Sequence, residues 1–333
     1  MAKFKEYTPF QGVDESAPPT GIIVPMGPGP GKFNLVRLAG GQGIRPQPPP
    51  SAPTIKIEDV TEAGNFLGAA ALHSPLLPGD KLFKISGSLP LTTQVQAGGD
   101  TLQIAVVKQR TVKLAIRPVQ VRDPQNPNAL VNHSKVPIGD IDAMVDQMNA
   151  IWTPQANVVF TLVPSTPVQL TDETRIGNIA GQSLGAAFQT PSPLPVEVNI
   201  DVFRDYLFDN RDPNAHLTMF LVQACARGSQ TAPDRGDNGV SQWLPGAAWG
   251  ISLISDARAQ SPALMAHEAG HFLGDLRRHT DDTTQDEKGN YVVLDKRKQL
   301  MIRGGGTFAY SEMGSILIPY DLVINRFNKP LKP

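Results

Sequence analysis

The chain has 333 residues, 40% of them hydrophobic, which is enough for a substantial core in one large domain or two ordinary ones. Its 30 basic and 31 acidic residues nearly cancel to a formal charge of −1, and no long basic run occurs, so the sequence argues against a nucleic-acid partner. The single cysteine, Cys225, excludes an intrachain disulfide and a metal site built only from thiolates.

The N-terminal third of the chain predicts an arm followed by a small accessory segment. Residues 1–53 contain 11 of the 31 prolines and predict extended, poorly packed backbone, either a docking arm or a disordered tail. Residues 54–105 mix short β-like pieces, such as TIKIEDV and DKLFKIS, with Gly and Pro, and predict a small β-rich segment. We therefore expect the main domain to span residues 106–333.

Within residues 106–333 the hydrophobic pattern predicts strands, helices and two long surface excursions. Helical spacing of apolar residues predicts a helix over residues 138–152. Runs of β-branched and apolar residues predict strands at 110–121, 157–163, 217–224 and 247–255. The segments 165–215 and 226–246 are rich in Gly, Pro, Asn and Asp and are expected to be surface loops. This order of elements is typical of an α/β domain.

The segment SPALMAHEAGHFLG (261–274) predicts a short helix that carries two histidines on one face. Ser261 and Pro262 are typical of a helix start, and Gly274 is typical of a helix end. His267 and His271 are four residues apart, so they project from the helix with roughly 40° of rotation between them. Two imidazoles at this spacing can bind one cation. The alternative without a metal is an ordinary amphipathic helix whose two histidines are hydrogen-bonded at the surface or in the core.

The residue types at these positions favour catalytic zinc. Zinc accepts imidazole nitrogen and lowers the pKa of a bound water to about 7. Glu268 follows the first histidine and is displaced around the helix, where its carboxylate would contact that water instead of the metal. This is the position of a general base.

HEAGHFLG resembles the start of the metzincin zinc-peptidase signature, H-E-x-x-H-x-x-G-x-x-H. His267, Glu268, His271 and Gly274 match it one by one, and Arg277 stands where the family has its third histidine. His279 follows two residues later, so LRRHTDD looks like the family's segment with two residues inserted, and the resemblance implies that His279 is the third zinc ligand. Asp275, Asp281 and Asp282 are competing oxygen ligands.

The same resemblance implies a fold and further site residues. Metzincins have a methionine turn beneath the metal, and KQLMIRGGG, with Met301, resembles it. The implied fold is an α/β (α+β) metzincin-like catalytic domain with a twisted mixed sheet and an active-site helix. A peptide substrate would lie extended against an edge strand near AAWGIS, and Tyr310 or Tyr320 could stabilise the oxyanion, although either is more often a packed aromatic.

The sequence therefore predicts a zinc metalloendopeptidase with Glu268 as the general base and a protein or peptide as substrate. Two alternatives stay open: a zinc peptidase of another class, with a carboxylate third ligand such as Glu287 or Glu312, and a non-enzymatic delivery or structural protein with a structural zinc.

The start of the chain lacks the apolar core of a cleavable secretion signal. The sequence contains no run of about 18 apolar residues, so it predicts no membrane-spanning helix. We expect synthesis in the cytoplasm. One hypothesis is a bacterial effector exported without such a signal, in which residues 1–100 bind a secretion or injection apparatus; a housekeeping cytosolic peptidase is the competing one.

Overall fold

The computed structural model describes residues 2–6, 21–27, 32–62, 76–122, 128, 130–164, 168–170, 198–199, 204–223, 225–229, 232–237, 239–243, 248–256, 261–274, 300–301, 318 and 323–324. Its strands are β1 (Lys3–Glu6), β2 (Gly21–Pro25), β3 (Asn34–Ala39), β4 (Ile55–Asp59), β5 (Lys81–Gly87), β6 (Leu91–Ala97), β7 (Asp100–Val107), β8 (Arg110–Arg122), β9 (Leu130–His133), β10 (Val158–Leu162), β11 (Val168–Leu170), β12 (Val198–Asn199), β13 (Leu217–Val222), β14 (Cys225–Ser229), β15 (Ala232–Asp237), β16 (Gly239–Trp243) and β17 (Gly250–Ser255). Its α-helices are α1 (Ile141–Ala156), α2 (Arg204–Asp209) and α3 (Pro262–Gly274).

The chain divides into two compact units. The first comprises Met1–Thr111, Asn149–Val159 and Arg278–Pro330, and the second comprises Val112–Met148, Phe160–Arg277 and Leu331–Pro333. None of the helices in the described part of the chain has the length and hydrophobicity of a membrane span.

The first unit contains two β-sheets that share one apolar core. One sheet has the antiparallel order β1-β3-β5-β4, and the other has the order β2-β7-β6, in which β2 and β7 are parallel. Alternating residues of both sheets point into the core, including Phe4, Val24, Phe83, Leu102 and Ile104.

The second unit is organised around a mixed sheet with the path β10-β8-β13-β17-β16. Strands β8, β13 and β17 are parallel, and β16 pairs antiparallel with β17. Every residue of β13 and β17 is buried, as expected for strands inside a parallel sheet. Helix α3 packs against β16 and β17, and a smaller sheet has the order β12-β14-β15.

The predicted α/β metzincin-like fold is wrong for this chain. The described residues are mainly β, with 17 strands in four sheets and only three α-helices. The error has a physical origin in the segments predicted as loops. CARGS and APDRGD contain Pro, Gly and charged residues, yet they pair as β14 and β15, because strand formation depends on neighbouring strands more than on intrinsic preference.

Other individual elements agree with the sequence patterns. Strand 110–121 forms as β8, and helix 138–152 forms as α1, starting at Ile141, with its predicted apolar face buried. The poorly packed backbone expected for residues 1–53 is wrong for β2, in which all five residues are buried. The predicted domain boundaries after residues 53 and 105 stay predictions.

A buried ion pair fixes the turn that precedes β5. The Arg37 Nε donates to Asp80 Oδ2 at 2.7 Å, and the backbone N–H groups of Gly40 and Leu77 donate to the same carboxylate at 2.9 and 3.1 Å. Burial raises the pKa of Asp80, but these donors and the Arg37 charge outweigh it and hold the pKa below 3.8. The carboxylate therefore stabilises the folded state above its unfolded pKa, and this stability is lost as the pH falls through the folded pKa.

We expect Asp80→Asn to lower the free energy of unfolding of the first unit by about 3–5 kcal/mol at pH 7, because the charge of Arg37 would stay buried without its partner. Urea unfolding combined with hydrogen exchange of the β3 and β5 amides measures the effect. The matched control is Glu58→Gln, which breaks the exposed pair with Lys84 (3.1 Å) and should change stability by less than about 1 kcal/mol. Equal effects of the two variants would contradict the assigned role of the buried pair.

Candidate metal centre

Helix α3 is mainly apolar and buried, and it carries a few polar side chains. It spans Pro262–Gly274, within one residue of the predicted helix, and its first turn is closed by a hydrogen bond from Leu264 N to the Ser261 carbonyl at 3.1 Å. Seven apolar residues of the helix are buried: Ala263, Leu264, Met265, Ala266, Ala269, Phe272 and Leu273. His267 and Glu268 are also buried, with 4% and 3% of their surface exposed. Polar groups this deep require partners or a ligand.

The two histidines bring the same ring nitrogen close together. His267 Nε2 and His271 Nε2 are 3.1 Å apart, and the ring planes are nearly perpendicular, with 85° between them and 4.7 Å between centroids. One turn of helix separates the residues, as the sequence spacing requires. The predicted convergence of the two imidazoles is therefore present in the geometry.

This arrangement fits a zinc ion. Two nitrogens that each lie about 2.0–2.1 Å from tetrahedral zinc are about 3.3 Å apart, close to the 3.1 Å between these Nε2 atoms. Without a metal, the same contact is a hydrogen bond in which one imidazole donates to the other. His267, His271 and Glu268 together form a metal-capable cluster, with one possible ligand atom from each lying within 4.8 Å of the others.

The Glu268 carboxylate is held by the neighbouring strands. Ser241 Oγ on β16 lies 2.6 Å from Glu268 Oε2, a distance typical of a hydroxyl that donates to a carboxylate. Ser241 Oγ is also 2.7 Å from Ser252 Oγ on β17, and the strand register pairs these two serines directly. Glu268 therefore faces the histidines on its own helix and a pair of hydroxyl groups on the sheet.

Two glycines allow α3 to lie this close to the sheet. A Cβ at Gly239 would lie 2.8 Å from Glu268 Oε1, and a Cβ at Gly250 would lie 2.7 Å from the Phe272 ring. Real Cβ atoms essentially never make such short contacts. Glycine at these positions of β16 and β17 is therefore a requirement of the helix–sheet packing.

The structure brings together three of the predicted site residues, His267, Glu268 and His271. Gly274 ends α3 as predicted, and Met301 is fully buried and belongs to the first unit. The remaining predicted site residues and their competitors lie outside the described residues: His279, Tyr310, Tyr320, Asp275, Asp281, Asp282, Glu287 and Glu312.

The edge strand expected near AAWGIS is wrong for that segment. The AAWGIS segment enters β17, which pairs with β13 on one side and β16 on the other, so β17 cannot offer an edge. Strand β16 ends the sheet path instead. Gly239 and Ser241 were not predicted as site residues because residues 226–246 were expected to be a loop. Ser252 lies in the predicted strand 247–255, where no local pattern marks it as a site residue. The only available signal was the G-x-S alternation of GVSQW, which places Gly239 and Ser241 on one face of a strand.

Comparison with known proteins gives no assignment. No family model matches the chain, and no curated protein matches it. Similar solved structures include two of the S-layer protein SbsC, at 11% and 12% identity and a TM-score of 0.18. Each match covers 34% of this chain and 14% of the S-layer chain, so this protein spans only a small part of those structures.

Loss of a residue that hydrogen-bonds to a metal ligand typically weakens metal binding by roughly 10–100-fold. We expect a larger loss of zinc affinity in His267→Ala and in His271→Ala, because each removes a ligand itself. Chelator competition and metal analysis of the purified protein measure the affinity and stoichiometry. His216→Ala is the matched control in the same unit, since His216 Nδ1 accepts a hydrogen bond from Lys113 N at 3.0 Å and lies outside the metal-capable cluster. Unchanged zinc affinity in both cluster variants would contradict the site.

The third ligand is tested separately. We expect His279→Ala to weaken zinc binding and, if the chain is a zinc peptidase, to abolish cleavage, because the resemblance implies that His279 is the third ligand. Asp275→Ala should keep both within a few-fold, since Asp275 directly follows Gly274. If the His279 variant keeps stoichiometric zinc and full turnover, His279 is not the third ligand, and the aspartates are the next residues to test.

Proposed function

We propose that this protein is a zinc-dependent endopeptidase in which Glu268 is the general base. The observation that supports the proposal is the buried cluster on α3, in which His267 and His271 converge at 3.1 Å with the Glu268 carboxylate beside them. The His-Glu-x-x-His spacing is only a sequence pattern. A metal site also requires the two imidazoles to lie close together, as they do here.

Each residue has a defined part in the reaction. His267 and His271 hold the ion, and His279 is proposed as the third ligand. Zinc, when bound, supplies a water of lowered pKa and polarises the scissile carbonyl. Glu268 would accept a proton at its carboxylate as the water oxygen bonds to the scissile carbonyl carbon. It would then donate that proton to the leaving nitrogen as the C–N bond breaks.

The position of Glu268 favours catalysis over a structural metal. A structural zinc site is closed by four ligands and needs no base. Here the carboxylate lies next to the histidine pair while a hydroxyl binds its Oε2 atom, which is an arrangement that holds a proton acceptor in place. We propose β16 as the strand that binds an extended peptide substrate, because β16 ends the sheet path and carries Ser241.

The biological setting remains a separate hypothesis. Export as a bacterial effector, with residues 1–100 bound by a secretion or injection apparatus, stays a prediction, as does the housekeeping peptidase. A peptidase with a carboxylate third ligand differs from the main proposal only in the residue that follows α3.

The decisive variant is Glu268→Gln. It should keep one zinc per chain and lower kcat/KM for an unfolded protein substrate by about 10²–10⁴-fold, because glutamine cannot accept the proton. Glu58→Gln makes the same chemical change at an exposed site in the first unit and should leave zinc content and cleavage unchanged. Normal zinc with undiminished cleavage in Glu268→Gln would remove the catalytic role.

Metal removal distinguishes the enzyme from a structural zinc protein. Dialysis against a chelator should abolish cleavage and leave most of the circular dichroism spectrum unchanged, and added zinc should restore cleavage. Loss of the folded spectrum together with the metal would favour the structural alternative.

A further inference from the structure

A chain of hydroxyl groups runs from β17 through β16 to the Glu268 carboxylate. Ser252 Oγ lies 2.7 Å from Ser241 Oγ, and Ser241 Oγ lies 2.6 Å from Glu268 Oε2. Ser252 is fully buried, and Ser241 is partly buried. Both contacts are short for hydroxyl hydrogen bonds, so the three side chains form a continuous network.

The direction of these hydrogen bonds follows from the available protons. An ionised carboxylate only accepts, so Ser241 must donate its one proton to Glu268. Ser252 must then donate its proton to Ser241 Oγ. The backbone oxygen of Glu268 is also 3.1 Å from Ser241 Oγ, but the single hydroxyl proton favours the shorter, charge-assisted contact. Ser252 therefore orients Ser241, and Ser241 orients the carboxylate.

Gly239 restricts the other carboxylate oxygen. Gly239 and Ser241 are two residues apart on β16, so they face α3 from the same side of the strand. A Cβ at position 239 would lie 2.8 Å from Glu268 Oε1. Strand β16 thus binds one oxygen through a hydroxyl and leaves just enough space for the other.

This restraint matters because a carboxylate is itself a zinc ligand. A Glu268 oxygen already lies within 4.8 Å of the ligand atoms of both histidines, so a modest rotation could bring it onto the same ion. A carboxylate bound in that way would close the site and could no longer act as the proton acceptor. A general-base role for Glu268 therefore requires a contact that keeps its carboxylate from coordinating the ion.

We infer that Ser241 is a positioning residue whose hydroxyl, oriented by Ser252, holds Glu268 in the general-base position and out of the ligand set of the metal. The inference rests on the proposed function in one respect, the role of Glu268 as general base. Its structural part, the choice between a carboxylate beside the metal and one bound to it, can be measured without turnover.

Ser241→Ala is the test variant, studied in the full chain with zinc for kinetics and with Co²⁺ for visible absorption. We expect one metal per chain, a fall in kcat of about 10–100-fold and a change in KM of less than about two-fold. We also expect the Co²⁺ absorption bands to shift, because Glu268 joins the ligand set. Ser241→Thr keeps the hydroxyl and should restore most of kcat and the wild-type bands.

Ser255→Ala is the matched control. Ser255 lies on the same strand as Ser252, and its buried Oγ has no hydrogen-bond partner among the described residues. The variant removes the same hydroxyl from a buried serine that faces the opposite side of β17 from Ser252, so kcat, KM and the Co²⁺ bands should match the wild type. Ser252→Ala should give a smaller loss of kcat than Ser241→Ala, because Ser241 keeps its contact with the carboxylate.

The outcomes separate this inference from the proposed function. Wild-type kcat and unchanged Co²⁺ bands in Ser241→Ala overturn the positioning role, and so does a threonine variant as defective as the alanine variant. If the wild type binds metal but cleaves nothing, the proposed function fails and the Co²⁺ bands alone decide, with unshifted bands in Ser241→Ala refuting the inference. If the wild type binds no metal, both proposals fail.

Discussion

The candidate site depends on the burial of charged and polar groups on a helix that is otherwise apolar. Helix α3 buries seven apolar residues, and the same burial removes water from His267 and Glu268. A desolvated carboxylate is costly unless donors replace its hydration, and the hydroxyl of Ser241 is one such donor. The polar partners of α3 are therefore part of what allows the helix to pack on the sheet, as well as part of the site.

The sheet meets this requirement with small residues at specific positions. Glycines at 239 and 250 remove side-chain volume beneath the helix, and serines at 241 and 252 supply hydroxyl groups between them. The antiparallel register of β16 and β17 sets the two serines side by side. The first unit solves a similar problem at Arg37 and Asp80, where backbone donors and a guanidinium surround a buried carboxylate.

The sequence could predict the features that depend on nearby residues. The ends of α3 follow from Ser261, Pro262 and Gly274, and the meeting of His267 with His271 follows from helical spacing. The contact between Ser241 and Glu268 joins residues 27 positions apart, across a strand whose existence depends on its pairing with β17. The fold class was wrong for the same reason, since strands such as β14 and β15 owe their form to partners and carry weak local signals.

The discontinuity of the first unit has a consequence for the order in which the chain can fold during synthesis. That unit combines Met1–Thr111 with Asn149–Val159 and Arg278–Pro330, and the buried amide of Ile318 donates to Gln155 Oε1 at 2.7 Å. A ribosome adds about 5–20 residues per second, so the synthesis of Arg278–Pro330 is completed several seconds after that of α3. The helix with the two histidines is thus made before the first unit can be completed.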